Sequence, residues 1–358
     1  MKNPLRKRFF RELREEIGKY LVVFILMTAT IGFVSGFLVA DGSMLTAYNN
    51  SFQKYNIEDG KFETEEKIYK NQQEDIEKKG VTLYENFYVE KVLLNGTTLR
   101  IFKNRTKVDK VCLMKGKLPE KTGEIAIDRM YADNNKLSVG DSLQSGKRKW
   151  KITGLVALSD YSALFQNNND TMFDAVKFGA AVVTEEEFSS FNQSQLVYNY
   201  AWTYTHKPKT EAQEKKKSED FMEELSKDVT LEEFVPQYLN QAIHFTGDDM
   251  GGDRAMIIVL LYIVIAIMAF VFGITTSNTI RKEAGVIGTL RASGYTKNEL
   301  IRHYMFMPLL VTFIGAIVGN LLGYTVFKNV CADMYYGSYS LPTYVTLWNA
   351  EAFLLTTV

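Results

Sequence analysis

The side chains that most often carry catalysis or bind metals are scattered along this sequence. The histidines stand apart, without partners at metal-ligand spacing: His206, His244 and His303. Four aspartates fall in separate predicted loops, where solvated turns are the simpler interpretation: Asp133, Asp141, Asp160 and Asp170. Gly116-Lys-Leu-Pro offers glycine and lysine without the spacing of a phosphate-binding loop. The sequence therefore predicts a chain that is not an enzyme and holds no metal or cofactor of its own.

Charge is segregated along the chain of 358 residues. The 42 lysines and arginines balance 42 acidic residues, so the composition does not indicate a nucleic-acid partner. Three stretches of more than 20 residues contain no charged side chain: 20–40, 255–280 and 303–327. Each exceeds the roughly 20 apolar residues that cross a bilayer as a helix. The sequence therefore predicts three membrane helices at these positions. The first is too long for a signal-peptide core and lacks a cleavage pattern, so it is interpreted as a retained helix.

Basic residues flank these stretches unevenly. Seven precede the first stretch: Lys2, Arg6, Lys7, Arg8, Arg11, Arg14 and Lys19. Five lie between the second and third stretches: Arg281, Lys282, Arg291, Lys297 and Arg302. Because short cytoplasmic segments are enriched in Lys and Arg, residues 1–19 and 281–302 are predicted to be cytoplasmic. Residues 41–254 and 328–346 are then extracytoplasmic.

The two ends of the chain carry further patterns. Within residues 1–19, an apolar residue recurs every fourth position at Leu5, Phe9, Leu13 and Ile17. This pattern is typical of an amphipathic helix on the inner leaflet, and a simple basic flank explains the charge equally well. Residues 347–358 turn apolar and are interpreted as the start of a truncated fourth membrane helix, with an interfacial segment as the alternative.

Residues 41–254 mix strand and helix signals, which predicts an extracytoplasmic α+β domain between the first and second membrane helices. Asn95-Gly96 between two β-prone runs predicts a hairpin with a type I′ turn. Segments 150–158 and 180–184 are further predicted strands, Thr184 a predicted helix start, and 207–228 a solvated helix or linker. Segments 41–52 and 231–242 are predicted to extend the membrane helices outward as a paired stalk. Cys112 and Cys331 both fall outside, and whether they pair stays open.

One run of the predicted outer domain carries a more specific pattern. It reads Gly116-Lys-Leu-Pro-Glu-Lys-Thr-Gly-Glu-Ile-Ala-Ile-Asp-Arg-Met-Tyr-Ala and continues through Leu137-Ser-Val-Gly-Asp to Trp150-Lys-Ile-Thr-Gly-Leu-Val. Physically, Gly123 and Gly140 mark turns, and Ile125 and Ile127 alternate as in a strand. In this order the phrases resemble the extracytoplasmic domain of MacB/FtsX-type (type VII) ABC transporter permeases.

A second run covers the basic loop: Ile280-Arg-Lys-Glu-Ala-Gly-Val-Ile-Gly-Thr-Leu-Arg-Ala-Ser-Gly-Tyr-Thr-Lys-Asn-Glu-Leu-Ile. Its spacing predicts a helix with Ile280, Ala284, Ile287 and Arg291 on one face, ended by Gly294 before a second helix starts near Thr296. It resembles the loop at which permeases of this family meet their ATPase. The resemblance implies an ATPase-coupling role for six residues: Arg281, Glu283, Ile287, Leu290, Arg291 and Gly294. The alternative is a basic turn between two membrane helices.

The predicted membrane helices have no Asp, Glu, Lys or Arg, which disfavours ion-coupled secondary transport. Gly315, Gly319 and Gly323 recur every fourth residue in the third helix and allow close helix packing. The partner is either a helix of the same chain or a second permease copy.

The resemblance implies an ABC transporter permease subunit in the plasma (inner) membrane of a bacterium. A separate cytoplasmic ATPase would bind ATP and drive motion of the outer domain for export, extraction or efflux. Further implied partners are a second permease copy or a paralogue, the lipid bilayer, and an extracytoplasmic peptide, lipoprotein or accessory protein. The alternatives are an FtsX-like regulator of a cell-wall hydrolase and a membrane sensor. The sequence leaves the substrate, the homodimer or heterodimer choice and the presence of an outer membrane open.

Overall fold

The computed structural model describes the backbone of residues 4–357 and the side chains of residue 14 and residues 17–357. Most of the apolar stripe on residues 1–19 therefore lies outside the described side chains. The chain divides into two compact units. The helical unit comprises residues 1–43, 251–334 and 346–358, and the α+β unit comprises residues 44–250 and 335–345.

Long apolar helices dominate the helical unit. Its helices, three of which begin or end in the other unit, are α1 Pro4–Lys54, α6 Gln241–Lys282, α7 Ala284–Ala292, α8 Lys297–Leu322, α9 Lys328–Ser338 and α10 Ala350–Thr357. One π-helical turn, Gly323–Phe327, joins α8 to α9. By length and composition, three of the described helical spans are able to cross a membrane: Ile17–Lys54, Gln241–Lys282 and Lys297–Ser338. The prediction of an α-helical membrane protein with an α+β domain inserted after its first membrane helix is confirmed.

The predicted small-residue stripe of α8 packs against α1 of the same chain. A Cβ added at Gly319 would lie 2.8 Å from the Cβ of Ile31, and one added at Gly323 would lie 2.8 Å from the Cβ of Ser35. The two backbones approach closely because neither position carries a side chain. Gly315 has more room, since its nearest side-chain atom, the Cβ of Met27, would lie 3.6 Å away.

A buried polar group ties three helices together beside this stripe. The amide oxygen of Asn320 in α8 accepts hydrogen bonds from the hydroxyls of Ser35 in α1, at 3.0 Å, and Thr356 in α10, at 2.9 Å. The amide nitrogen of Asn320 donates to the carbonyl oxygen of Ala316 at 3.0 Å. Such interhelical hydrogen bonds each contribute about 0.6–2 kcal/mol in lipid. The group fixes the relative rotation of these helices.

The α+β unit contains two sheets. The first is antiparallel in the order β11-β1-β10-β2, with bounds β1 Gly60–Thr64, β2 Val81–Glu85, β10 Tyr198–Tyr204 and β11 Leu231–Pro236. The second runs β3-β4-β9-β6-β8-β5, with β7 on β8. Its bounds are β3 Tyr88–Val92, β4 Thr98–Lys103, β5 Val111–Gly116, β6 Glu124–Asp128, β7 Ser142–Ser145, β8 Arg148–Leu158 and β9 Phe178–Val183.

Short helices connect and cover these strands. They are α2 Lys70–Glu77, α3 Arg129–Asn134, α4 Glu185–Ser189 and α5 Glu211–Leu225. The largest fully buried side chains of the core are aromatic, and the indole of Trp202 stacks on Phe234 with ring centroids 4.8 Å apart. The helix start predicted at Thr184 is confirmed, because its hydroxyl accepts a hydrogen bond from the Glu187 backbone N–H of α4.

Two details of the sequence prediction are wrong. The hairpin exists between β3 and β4, but Leu93 pairs with Thr97, so the loop has three residues with Gly96 at a φ of +80°. This is a turn with a G1 bulge rather than type I′. Segment 231–242 is not a helical arm: its first half is β11, paired with β1 and ended by Pro236, and α6 begins at Gln241.

Candidate functional site

The predicted coupling loop forms a separate short helix, α7, with no buried side chain. Glu283 interrupts the helical geometry between α6 and α7, at φ −99° and ψ 11°. The backbone hydrogen bonds nevertheless continue on both sides, since Glu283 N–H donates to Thr279 at 3.0 Å and Ile287 N–H donates to Glu283 at 2.9 Å. The face predicted from Ile280 to Arg291 therefore extends over two helices, α6 and α7, with Glu283 between them.

The end of α7 has a fixed geometry. Gly294 takes a φ of +95°, a conformation in which most residues with a Cβ are strained. The N–H of Gly294 donates to the carbonyl oxygen of Arg291 at 3.1 Å, and the N–H of Tyr295 donates to the carbonyl oxygen of Leu290 at 3.1 Å. These two bonds are the Schellman pattern of a helix end. The helix therefore ends where the sequence predicts.

The next helix, α8, begins at Lys297 with Thr296 as its N-cap, and its first turn forms a capping box. The Thr296 hydroxyl accepts from the Glu299 N–H at 3.3 Å, and the Glu299 carboxylate accepts from the Thr296 N–H at 2.8 Å. The C-terminal end of α7 and the N-terminal start of α8 are thus joined by a short connection of defined geometry. Such a connection is able to pass a displacement of α7 on to α8.

Glu283 makes a hydrogen bond within the loop itself. The hydroxyl of Tyr304 in α8 donates to its carboxylate at 2.6 Å, and the Glu283 side chain is half-buried. A carboxylate held in this way links the start of α7 to α8. The sequence analysis did not single out Tyr304, because no local pattern relates it to Glu283.

The surface of α7 combines positive charge with apolar side chains. Arg281 and Arg291 are exposed, Ile287 and Leu290 are half-buried, and Val286 is 38% exposed. The structure therefore brings the predicted coupling residues together on one short segment, and adds Val286. An exposed apolar helix with flanking cations is chemically suited to a partner groove with an apolar floor and acidic edges.

The aspartates scattered in sequence serve structural roles. Asp160 forms a buried ion pair with Arg105 through two bonds of 2.6 and 2.7 Å. Asp141 accepts the Ser138 N–H in a turn, at 2.8 Å. Among the described residues, no group of three or more His, Cys, Asp or Glu side chains is arranged to hold a metal ion. Cys112 and Cys331 are both free thiols, so the pairing that the sequence left open is not formed.

Two further buried carboxyl groups lie next to the Arg105–Asp160 pair. The Asp109 carboxylate accepts the Glu58 N–H at 2.8 Å and the Asn86 side-chain amide at 3.2 Å. Burial, together with the negative charge of Asp160, raises the pKa of Asp109 to about 7. Burial and the charge of Asp109 also raise the pKa of Glu58. This part of the α+β unit therefore binds a proton near neutral pH.

We expect this proton to make stability depend on pH. Between pH about 4 and about 7, Asp109 keeps its proton in the folded unit, whereas an aspartate of the unfolded chain has lost it. The free energy of unfolding therefore falls as the pH rises across this window. Asp109→Asn removes the ionisation and keeps an oxygen for the Glu58 N–H. Between pH 5 and pH 8 the melting temperature of the wild type should therefore fall by several degrees relative to that of Asp109→Asn. A difference independent of pH contradicts the prediction, and Asp141→Asn, at an exposed turn, is the matched control.

Comparison with known proteins adds a family relation. Residues 258–358 match the family model for the FtsX-like permease C-terminal region. The predicted resemblance to MacB/FtsX-type permeases is thereby confirmed over this part of the chain. The full chain matches no curated protein at a significant level.

Two solved structures are similar to part of the chain. One is the periplasmic region of MacB from Actinobacillus actinomycetemcomitans, at 11% identity and a TM-score of 0.30, covering 48% of this chain and 86% of that chain. The other is the extracellular domain of the noncanonic ABC-type transporter YknZ from Gram-positive bacteria, at 10% identity and a TM-score of 0.28. This match covers 47% of this chain and 92% of that chain. Scores of this size do not bear on function.

Proposed function

We propose, from the match of residues 258–358 to FtsX-like permeases, that this chain is the permease subunit of an ABC transporter. The observation that carries the proposal is that the matched region contains all of α7 and α8 and most of α6. In this assignment ATP is bound and hydrolysed by a separate ATPase subunit, and the permease itself is not an enzyme. Its role is to convert the ATPase cycle into motion of the α+β unit.

In this proposal α7 is the docking element for the ATPase. Val286, Ile287 and Leu290 enter an apolar groove, while Arg281 and Arg291 face acidic groups at its rim. The Schellman end and the capping box give α7 a rigid connection to α8, so movement of the docked helix displaces the membrane helix rather than deforming a loop. The Glu283–Tyr304 hydrogen bond supports the same connection from the other end of α7.

The orientation follows from charge. Lys282 and Lys297 add to the positive charge of Arg281 and Arg291 in the α7 segment, and cytoplasmic loops are enriched in such residues. This charge supports the proposed orientation, with α7 in the cytoplasm and the α+β unit on the extracytoplasmic side of a bacterial plasma membrane. A second permease copy would complete the dimer. In this proposal, motion of the α+β unit would serve export, extraction of a lipid-anchored substrate or activation of a cell-wall hydrolase.

The test is affinity capture of the full chain from membranes of its own host, followed by mass spectrometry. We expect an ABC ATPase with the wild type and at least tenfold less with Val286→Asp, because a carboxylate in an apolar groove is costly to desolvate. Met222→Asp is the matched control, since Met222 in α5 is 42% exposed, close to the 38% of Val286. If no ATPase accompanies the wild type, the proposed function is wrong. If Val286→Asp retains it fully, α7 is not the docking element.

A further inference from the structure

Residues 335–345 belong to the α+β unit although residues 251–334 of the helical unit separate them from its remainder in sequence. This segment, called the return segment below, includes the last residues of α9 and the chain that follows it. Tyr339, Ser340 and Leu341 are buried within the α+β unit, at 5%, 1% and 1% exposure. A connection between two helices would be expected on the surface, because buried loops must satisfy their backbone polar groups. The burial therefore requires specific partners.

Arg129 supplies one set of partners. Its Nη2 donates to the carbonyl oxygens of Tyr336 and Tyr339, at 2.7 and 2.6 Å. Its guanidinium also lies 5.1 Å from the ring centroid of Tyr336. The last carbonyls of a helix lack partners within the helix and carry partial negative charge, so a cation at the end of α9 is favourable. Arg129 therefore acts as a side-chain cap for that helix.

Asp128 supplies a second contact. One oxygen of its carboxylate accepts the N–H groups of Met130 and Tyr131, at 2.8 and 3.2 Å, and so caps α3. The other oxygen accepts the hydroxyl of Ser340. The Asp128 side chain is fully buried, and both of its oxygens are used. The geometry of β6 and α3 thus fixes where Ser340 lies.

The opposite side of the return segment contacts the start of α6. The N–H of Ser340 donates to the carbonyl of Ser162 at 2.8 Å. The hydroxyl of Ser162 lies 2.9 Å from the carbonyl oxygen of Ile243 in α6. The hydroxyl of Tyr339 donates to the carboxylate of Asp249, also in α6. The return segment is therefore held between the end of β6 and the first turns of α6.

Asp128 and Arg129 come directly after Gly123-Glu-Ile-Ala-Ile, the phrase that the sequence analysis singled out. The proposed function assigns no role to this phrase. Its strand, β6, lies inside the second sheet between β9 and β8. Both residues are thus fixed to a central strand, and each binds the return segment.

We propose that Asp128 and Arg129 are positioning residues that latch the return segment to the α+β unit, so that α8 and α9 drive this unit directly. The idea rests on the proposed function, in which α8 moves with the docked α7. The α+β unit would then be driven through its latched return segment in addition to α1 and α6. The latch itself exists whether or not an ATPase binds, and this allows a separate test.

The first measurement is hydrogen exchange by mass spectrometry on the full chain in lipid nanodiscs. We expect peptides of the return segment to exchange at least tenfold faster in Arg129→Ala than in the wild type. Arg148→Ala is the matched control, since Arg148 bonds Ser190 in the same unit and makes no contact with the return segment in the structure. Unchanged exchange in Arg129→Ala overturns the latch. Ser340→Ala, which leaves the Asp128 cap of α3 in place, gives a milder variant if Arg129→Ala does not fold.

The second measurement tests whether the latch transmits position. Spin labels at the exposed Asp333 in α9 and Glu219 in α5 report a distance distribution, with Cys112 and Cys331 replaced by serine. We expect Arg129→Ala to at least double the width of the distance distribution, and Arg148→Ala to leave this width unchanged. Equal widths in the wild type and Arg129→Ala would show that the latch does not join the third membrane helix to the α+β unit. Neither measurement contains an ATPase, so neither can fail because the proposed function is wrong.

Discussion

Arg105→Met should lower the free energy of unfolding of the α+β unit by about 3–5 kcal/mol, the usual cost of stranding one partner of a buried ion pair. Arg105 and Asp160 are 7% and 5% exposed, and their two hydrogen bonds are bidentate. Without the guanidinium, the Asp160 carboxylate stays buried beside the carboxyl groups of Asp109 and Glu58. These groups cannot reach solvent, because they are buried in turns and loop segments that the surrounding core holds in place.

The measurement is thermal unfolding of the full chain in detergent, monitored by tryptophan fluorescence. Trp150 and Trp202 are fully buried in the α+β unit and report on it. For a unit of this size the expected loss corresponds to about 6–20 °C in melting temperature. The double variant Arg105→Met/Asp160→Leu should recover at least half of the loss, because apolar pairs often replace buried ion pairs without cost. If the double variant is as unstable as Arg105→Met, the loss does not come from the stranded carboxylate.

Gly294→Pro should separate ATP hydrolysis from motion of the α+β unit. Proline fixes φ near −65° and has no N–H, whereas Gly294 takes a φ of +95° and donates to the Arg291 carbonyl. The substitution therefore removes the Schellman end of α7 and its defined connection to α8. Membrane insertion should be unaffected, because the change lies between the membrane helices.

The readout is hydrogen exchange of the α+β unit in the permease–ATPase complex, with and without ATP and vanadate. We expect the nucleotide-dependent change to fall at least tenfold in Gly294→Pro while ATP hydrolysis continues. A graded series sharpens the test, because asparagine tolerates positive φ and valine does not. Gly294→Asn should stay close to the wild type, and Gly294→Val should approach Gly294→Pro. Equal coupling in all variants would show that the connection of α7 to α8 does not carry the motion.

Signals confined to a few residues were readable from the sequence. Gly294 and Thr296 predict the end of one helix and the start of the next, because positive φ and side-chain capping depend on neighbouring residues alone. The uncharged stretches predict the membrane helices for a similar reason. Helix length against bilayer thickness requires no knowledge of packing.

Features that depend on distant partners could not be read in this way. Segment 231–236 is a strand because β1 pairs with it, and no local pattern in the segment reveals that partner. The Glu283–Tyr304 bond joins positions on two helices, and the contact of Asp128 with Ser340 joins two segments separated by membrane helices. The sequence predicted Glu283 as a coupling residue, and that role stays a prediction. The return segment was predicted only as an outer loop.

The interrupted make-up of the α+β unit also determines the order of its biosynthesis. Residues 44–240 leave the ribosome before α6, α7 and α8 are made, and the return segment follows only after these helices. The hydrogen bonds from Ser340 to Asp128, and from Arg129 to the carbonyls of Tyr336 and Tyr339, therefore form late in synthesis. Contacts this distant in sequence form slowly, because a long chain must close first. The α+β unit can therefore be completed only after the third membrane helix has been synthesised.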